Sequence, residues 1–137
     1  MKTFLDSSAF AKRYIEEAGS EVVDKRCQEA TELALSVLCV PEIVSALNRR
    51  VREGVLDASQ YAAIKQSLLE DIQDIAIIDL TERVVATCIR LLEASPLRAA
   101  DALHVACAAE WKAGLFLSAD RRQVLAAESA GLRAELV

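Results

Sequence analysis

The sequence contains one histidine and no cysteine pair in C-x-x-C spacing. A Cys/His zinc site uses several such ligands at set spacings, so structural zinc is not expected. The four cysteines, Cys27, Cys39, Cys88 and Cys107, stand among apolar or helical neighbours. An acid at position 6 leaves no room for the apolar stretch of a secretion signal, so free buried thiols and a cytoplasmic protein are expected. Long apolar runs are also missing, and the strongest, Leu33 to Pro41, is too short to span a bilayer. Aromatic residues make up 4% of the chain, too few for the base-stacking surface of an RRM or OB fold. Positive charge is in deficit, with 16 basic against 21 acidic residues and a net charge of −5. That weighs against a protein held on nucleic acid by bulk electrostatics, but not against an enzyme that touches it through a local basic rim. Repeats, linkers and low-complexity segments are absent.

What is present is a chain of 137 residues, 53% hydrophobic and 27% charged. It is long enough to bury one full core and too apolar to be disordered. Short apolar runs alternate with helical patterns. Strands are expected at Lys2–Leu5, Leu33–Leu38, Ala76–Leu80 and Leu115–Ser118, with a fifth, edge strand at Arg133–Val137. A helix is expected over Ser7–Glu17, with Phe10, Tyr14 and Ala18 on one face. A second is capped by Ser20 and runs to about Glu32. The next has Pro41 in its first turn and Gly54 as its stop. Asp57 and Gln60 spell a capping box for a helix to Asp71. Thr81 caps a helix that Pro96 breaks. Ala99–Ala113 is an alanine-rich helix, apolar almost all round and therefore central, with Gly114 as its stop. Asp120–Ala130 is the last. Alternating strands and helices imply a three-layer α/β/α sandwich, a single domain with a parallel sheet of four to five strands.

The informative feature is where acids fall. Asp6 directly follows the first strand, Glu42 opens the helix after the second, and Asp120 follows the fourth. In a parallel sheet these positions share the carboxyl edge, where open α/β folds place ligands. Asp101 lies in the first turn of the alanine-rich helix and can reach the same edge. Each acid has a bland reading. Asp6 and Asp120 serve as N-caps, with Gln123 completing a capping box with Asp120, and Glu42 and Asp101 complement helix dipoles. Jointly, four carboxylates converge on one crevice. Asp101, inside Ala99-Ala100-Asp101-Ala102-Leu103, has no lysine beside it, although Arg98 is near in sequence. A clustered, partly buried carboxylate is costly without a compensating cation or donor. An all-oxygen ligand set suits Mg²⁺ or Mn²⁺.

The motifs that carry these acids resemble those of PIN-domain ribonucleases, specifically the VapC-type toxins of toxin–antitoxin pairs. They are Phe4-Leu5-Asp6-Ser7-Ser8-Ala9, Val40-Pro41-Glu42-Ile43-Val44, Leu97-Arg98-Ala99-Ala100-Asp101-Ala102-Leu103-His104 and Leu117-Ser118-Ala119-Asp120-Arg121-Arg122, in the family's order and over essentially the whole chain. The resemblance implies Asp6, Glu42, Asp101 and Asp120 as a catalytic, metal-binding quartet. It also implies Ser118, and with it Ser8, as supporting hydroxyls. It further implies RNA as substrate, a cognate antitoxin as partner, and an antitoxin segment lying across the acidic crevice.

Hydrolysis of a phosphodiester needs an activated water, a neutralised phosphate and a stabilised leaving oxygen, and one or two divalent ions serve all three. Arg98, Arg121 and Arg122 adjoin the acids and are the expected RNA or antitoxin contacts. Lys12 and Arg13 lie over a turn beyond Asp6, and Arg49, Arg50 and Arg52 read as a solvated face. His104, three positions after Asp101, reads first as a packed structural histidine. The high apolar content implies exposed apolar faces and a homodimer. Other readings stay open. One is a stand-alone RNA-processing nuclease without antitoxin. Another is a phosphohydrolase with an aspartyl nucleophile at Asp6, against which stands Ser8 where a second acid belongs. A third is a non-catalytic Mg²⁺-binding domain.

Overall fold

The computed structural model describes all residues, 1–137. Five strands, β1 (Lys2–Leu5), β2 (Glu32–Ser36), β3 (Ala76–Ile78), β4 (Leu115–Ser118) and β5 (Ala134–Leu136), alternate with seven helices. The helices are α1 (Ser7–Ala11), α2 (Ser20–Glu29), α3 (Cys39–Arg52), α4 (Ala58–Asp71), α5 (Glu82–Ala94), α6 (Ala99–Trp111) and α7 (Arg121–Ser129). The sheet is parallel throughout, in the order β3-β2-β1-β4-β5. The chain therefore builds outward from β1 in one direction and then in the other, and the order reverses between β1 and β4.

Side chains alternate across each strand, so every strand feeds two cores. Phe4, Ala34 and Phe116 face α5, α6 and α7, where they meet Val84, Leu91, Val105, Ala106 and Ala127. Leu5, Leu35, Leu115 and Leu117 face the opposite layer, with Phe10, Val23, Ile43, Leu47 and Leu68 from α1 to α4. The alanines of α6 let that helix lie close to the sheet and to α5. The three-layer architecture read from the sequence is the one observed. All four cysteines are free. No helix is long and apolar enough to cross a membrane.

Several element boundaries differ from expectation. Helix α1 stops at Ala11 rather than Glu17. The Lys12 ammonium turns back to donate to the Ala18 carbonyl at 2.5 Å and lies 3.4 Å from Glu17. Ser20 does not cap α2. Gly19 holds that position at φ +94°, while the buried Ser20 hydroxyl donates to the Lys12 carbonyl and accepts the Glu17 N–H. Strand β2 starts at Glu32 and ends at Ser36, and β3 ends at Ile78. Helix α6 ends at Trp111, because Lys112 takes the left-handed conformation at φ +60° ahead of Gly114. The capping box of Asp57 and Gln60 forms as read, with bonds of 2.7 and 2.9 Å.

Candidate active site

β1 carries Asp6 to the carboxyl edge of the sheet. Its Oδ1 accepts the Ala9 N–H at 2.8 Å and so caps α1. The residue is only 1% exposed, and such burial demands donors. The Ser118 hydroxyl, at the end of β4, donates to Oδ2 at 2.6 Å. The Ser8 hydroxyl sits 2.7 and 2.9 Å from the two oxygens. Burial pushes the Asp6 carboxyl above its ordinary 3.8, against the pull of Ser118, Ala9, Ser8 and His104.

Glu42 lies in the first turn of α3. Its Oε1 accepts the Ser7 hydroxyl at 2.7 Å and is in hydrogen-bond contact with His104 Nε2. The His104 contact is the main reason its carboxyl is held below 4.5; burial works the other way and Ser7 adds to the lowering. His104 itself is buried on α6, and its Nδ1 lies 3.0 Å from the Ser36 hydroxyl at the end of β2.

Asp101 opens α6 with its side chain 11% exposed. The sequence placed only Arg98 near it, and the structure adds a second donor. Arg98 Nε donates to Oδ2 at 3.2 Å, and the Gln123 amide, from α7, donates to Oδ1 at 3.1 Å. The capping box expected of Asp120 and Gln123 is therefore absent. Asp120 does cap α7, but through the Arg122 N–H at 2.9 Å, while the Gln123 side chain serves Asp101.

All four acids line one cleft of about 310 Å³, together with Ser7, Ser8, Arg98, His104, Ala119 and Gln123. It opens just beyond the ends of β1 and β4, where the strand order reverses, the place open α/β sheets offer a ligand. Both helical layers contribute, α3 from one side and α6 and α7 from the other. The lining is polar except for Ala119. Of the expected basic contacts, Arg98 is at the cleft, Arg122 Nε lies 3.7 Å from Asp120 on its rim, and Arg121 is exposed without an ion pair. Lys12 is buried and Arg13 pairs with Asp24 at 3.5 Å, so neither serves the cleft.

No three of the acid, histidine or cysteine side chains close into a ready-made metal cage. The donor set nevertheless fits a hard divalent cation that keeps part of its water shell, as Mg²⁺ does. The acids present oxygen alone, and His104, the one nitrogen ligand at hand, is committed to Glu42 and Ser36. The buried Oε1 of Gln123, which has no hydrogen-bond partner, belongs to the same lining.

Sequence reading missed Ser7, Ser36 and Gln123. Their partners lie 35, 68 and 22 residues away, so no local pattern announces them. His104 had a signal, its i, i+3 spacing from Asp101, which places both on one side of α6.

No curated protein matches the chain in sequence. Solved structures share its fold at low identity. VapBC2 from Rickettsia felis bound to a DNA fragment from its promoter aligns with a TM-score of 0.73 at 11% identity, covering 100% of this chain and 99% of that one. FitAcB from Neisseria gonorrhoeae aligns with a TM-score of 0.72 at 16% identity, covering 96% and 95%. VapC20 from Mycobacterium tuberculosis, a sarcin–ricin loop cleaving toxin, aligns with a TM-score of 0.69 at 15% identity, covering 95% of each chain. The sequence pattern of the PIN domain matches residues 3–128, a span that takes in every acid of the cleft, and the chain belongs to the PIN domain family.

Proposed function

We propose that this chain is a divalent-metal-dependent endoribonuclease and the toxin of a toxin–antitoxin pair. The observation that carries the reading is the meeting of Asp6, Glu42, Asp101 and Asp120, from four separate stretches of chain, in one polar cleft at the switch point of the sheet. Membership of the PIN family and the likeness of the fold to VapBC2, FitAcB and the sarcin–ricin loop cleaving toxin VapC20 support it.

In this reading the four acids hold Mg²⁺ or Mn²⁺. The bound ion supplies charge neutralisation at the scissile phosphate, an acidified water and stabilisation of the leaving oxygen. The protein's part is placement. Ser118, Ser8 and the Ala9 N–H orient buried Asp6 and offset part of the cost of its burial by supplying hydrogen bonds that water would. Ser7 and His104 fix Glu42, and Gln123 fixes Asp101. Arg98 is paired with Asp101 but highly exposed, so it is free to swing to a phosphate oxygen of the RNA, with Arg121 and Arg122 beside it. A cationic side chain of an antitoxin would occupy the same acids and block RNA. Val85, Ile89 and Leu92 form an exposed apolar stripe on α5, which supports a homodimer. With RNA as substrate and an antitoxin as partner, this reading assigns the protein to the cytoplasm.

The test uses the purified chain, free of any partner. It is expected to cut RNA with Mg²⁺ or Mn²⁺ and to stop in excess EDTA, and Asp6→Asn and Asp101→Asn are each expected to abolish cutting while remaining folded. Mapping of new RNA ends after induction, beside the Asp6→Asn control, identifies the target. Undiminished cutting in EDTA overturns the metal mechanism. If the product of a neighbouring small gene neither co-purifies nor restores growth, a stand-alone nuclease replaces the toxin.

A further inference from the structure

Behind the cleft stands the only histidine of the chain, His104. We infer that His104 is a positioning residue: with Ser7 it saturates Oε1 of Glu42 and leaves Oε2 as the single atom of that carboxylate free to take a ligand. This rests on the metal-dependent reading above and deepens it, by naming which residue prepares the second acid and which oxygen it presents.

The hydrogen bonds determine where the protons sit. Ser36 Oγ accepts the Leu38 N–H at 3.1 Å and has one proton of its own to give. His104 Nδ1, 3.0 Å away, is the one acceptor within its reach, so Nδ1 takes that proton. His104 Nε2 faces a carboxylate oxygen, which only accepts, so Nε2 carries the proton. The Ser7 hydroxyl spends its single proton on the same oxygen of Glu42 at 2.7 Å. At 3.3 Å from Nε2 it is therefore a second acceptor for the ring N–H, not a competing donor. With the ring proton on Nε2, every hydroxyl and ring proton in this set has an acceptor.

The consequence is directional. Glu42 Oε1 accepts two hydrogen bonds, whereas Oε2 has no hydrogen-bond partner in the protein. The Glu42 side chain is 39% exposed and has three rotatable bonds, so without an anchor it would sample many rotamers over the cleft. His104 is only 1% exposed and is fixed on α6 and at the end of β2, so it is a rigid anchor. It also ties the two helical layers together. Helix α6 carries Asp101 directly and, through His104 one turn later, sets the carboxylate that α3 carries from the other layer. Partners of this kind behind a metal-binding carboxylate typically change metal affinity by about 10- to 100-fold.

Two measurements on untagged protein test the inference. In the first, ¹⁵N-labelled histidine is observed at neutral pH without metal. A single histidine gives one set of ring signals, so assignment is direct. Nε2 is expected to be protonated and Nδ1 unprotonated, and Glu42→Gln is expected to shift the Nε2 proton. A proton on Nδ1, or an Nε2 proton indifferent to Glu42→Gln, overturns the hydrogen-bond assignment whatever the protein cuts. In the second, Mn²⁺ binding is titrated by electron paramagnetic resonance for wild type, His104→Leu, His104→Gln and Ser7→Ala, with melting temperatures recorded in EDTA. His104→Leu is expected to bind Mn²⁺ about 10-fold or more weakly. His104→Gln, whose amide N–H reaches the same oxygen, is expected to recover most of that loss, and Ser7→Ala to lose less than His104→Leu. If His104→Leu fails to fold, His104→Asn, whose shorter amide falls short of Oε1, takes its place. Wild-type Mn²⁺ affinity in folded His104→Leu, or in His104→Asn where His104→Leu does not fold, overturns the positioning role alone. Absence of Mn²⁺ binding by the wild type overturns the nuclease reading and this role together, while the histidine signals still report the geometry.

Discussion

Asp6 and Glu42 line the same cleft, yet their surroundings move their carboxyls in opposite directions. Asp6 is almost wholly buried, and burial outweighs its hydrogen bonds, so its folded value lies above the ordinary 3.8. Below that ordinary value the group is protonated in folded and unfolded chains alike, and it costs nothing. As pH rises from about 3.8 through the folded value, ionisation becomes harder in the fold than outside it, and stability falls. Glu42 behaves oppositely. Its folded value lies below 4.5, so it contributes stability above that value and loses it as pH drops through the folded one. The metal-free protein thus carries a strained acid at neutral pH. Asp6→Asn is expected to raise the melting temperature in EDTA, by roughly 4 °C for each kcal/mol recovered. The gain should be near zero around pH 4 and grow toward neutrality. A gain that is flat with pH, or larger in acid, would show that Asp6 is not the strained group. At this scale the meeting of the four acids was legible because Asp6 and Asp120 follow strands while Glu42 and Asp101 sit in the first turns of helices that reach the same edge. Their partners were not: Ser36 reaches His104 across 68 residues of sequence, and Gln123 reaches Asp101 across 22.

Two identical local spellings had different outcomes, which shows where element-level reading stops. Asp57-Ala-Ser-Gln60 folds as a capping box because nothing else competes for the Gln60 side chain. Asp120-Arg-Arg-Gln123 has the same pattern, but Asp101 lies within reach and takes the Gln123 amide instead. The Asp120 N–H, which a capping box would give to the Gln123 oxygen, donates instead to Ser118 Oγ at 2.9 Å, so the Gln123 Oε1 stays buried without a partner while its amide N–H serves the carboxylate. The shortened α1 has the same kind of cause. The periodicity of Phe10, Tyr14 and Ala18 favours a longer helix, but Lys12 and Ser20 close a compact loop over Lys12–Gly19, and the Tyr14 hydroxyl is drawn to Asp71 at 2.7 Å. Gly19 makes that loop possible. At φ +94°, an added Cβ would sit 2.7 Å from the backbone carbonyl carbon of Val137. Gly19→Ala therefore combines a left-handed cost of about 1–2 kcal/mol with a backbone clash. The melting temperature is expected to fall by about 5 °C or more. Gly131→Ala is the control, since Gly131 has φ +88° but open space around its Cβ position, and it should cost distinctly less. Equal losses in the two variants would mean that the approach of Val137 to Gly19 does not constrain the fold.

At the scale of the molecule the acids raise a problem of charge. The chain is acidic, at −5, and its proposed substrate is a polyanion. The cleft gathers four carboxylates, so without a cation the site repels phosphate. Two divalent ions would cancel the charge of that quartet and leave the whole protein near neutrality. What attraction remains must come from a few arginines. Arg98 lies at the cleft, and Arg121 and Arg122 open α7 beside Asp120. Arg49, Arg50 and Arg52 sit in the last turn of α3, the end away from Glu42. Each phosphate neutralised on a single strand contributes about −0.7 to the slope of log affinity against log salt. Three contacts give about −2, a shallow dependence for a nucleic-acid-binding protein. The measurement is anisotropy of a labelled single-stranded RNA on Asp6→Asn protein, at constant Mg²⁺, between about 50 and about 200 mM salt. Arg122→Ala is expected to weaken binding and reduce the slope by about 0.7, while Arg52→Ala changes neither. A wild-type-like slope of about −4 or steeper that falls on Arg52→Ala would move the RNA path onto the α3 end and away from the arginines at the cleft.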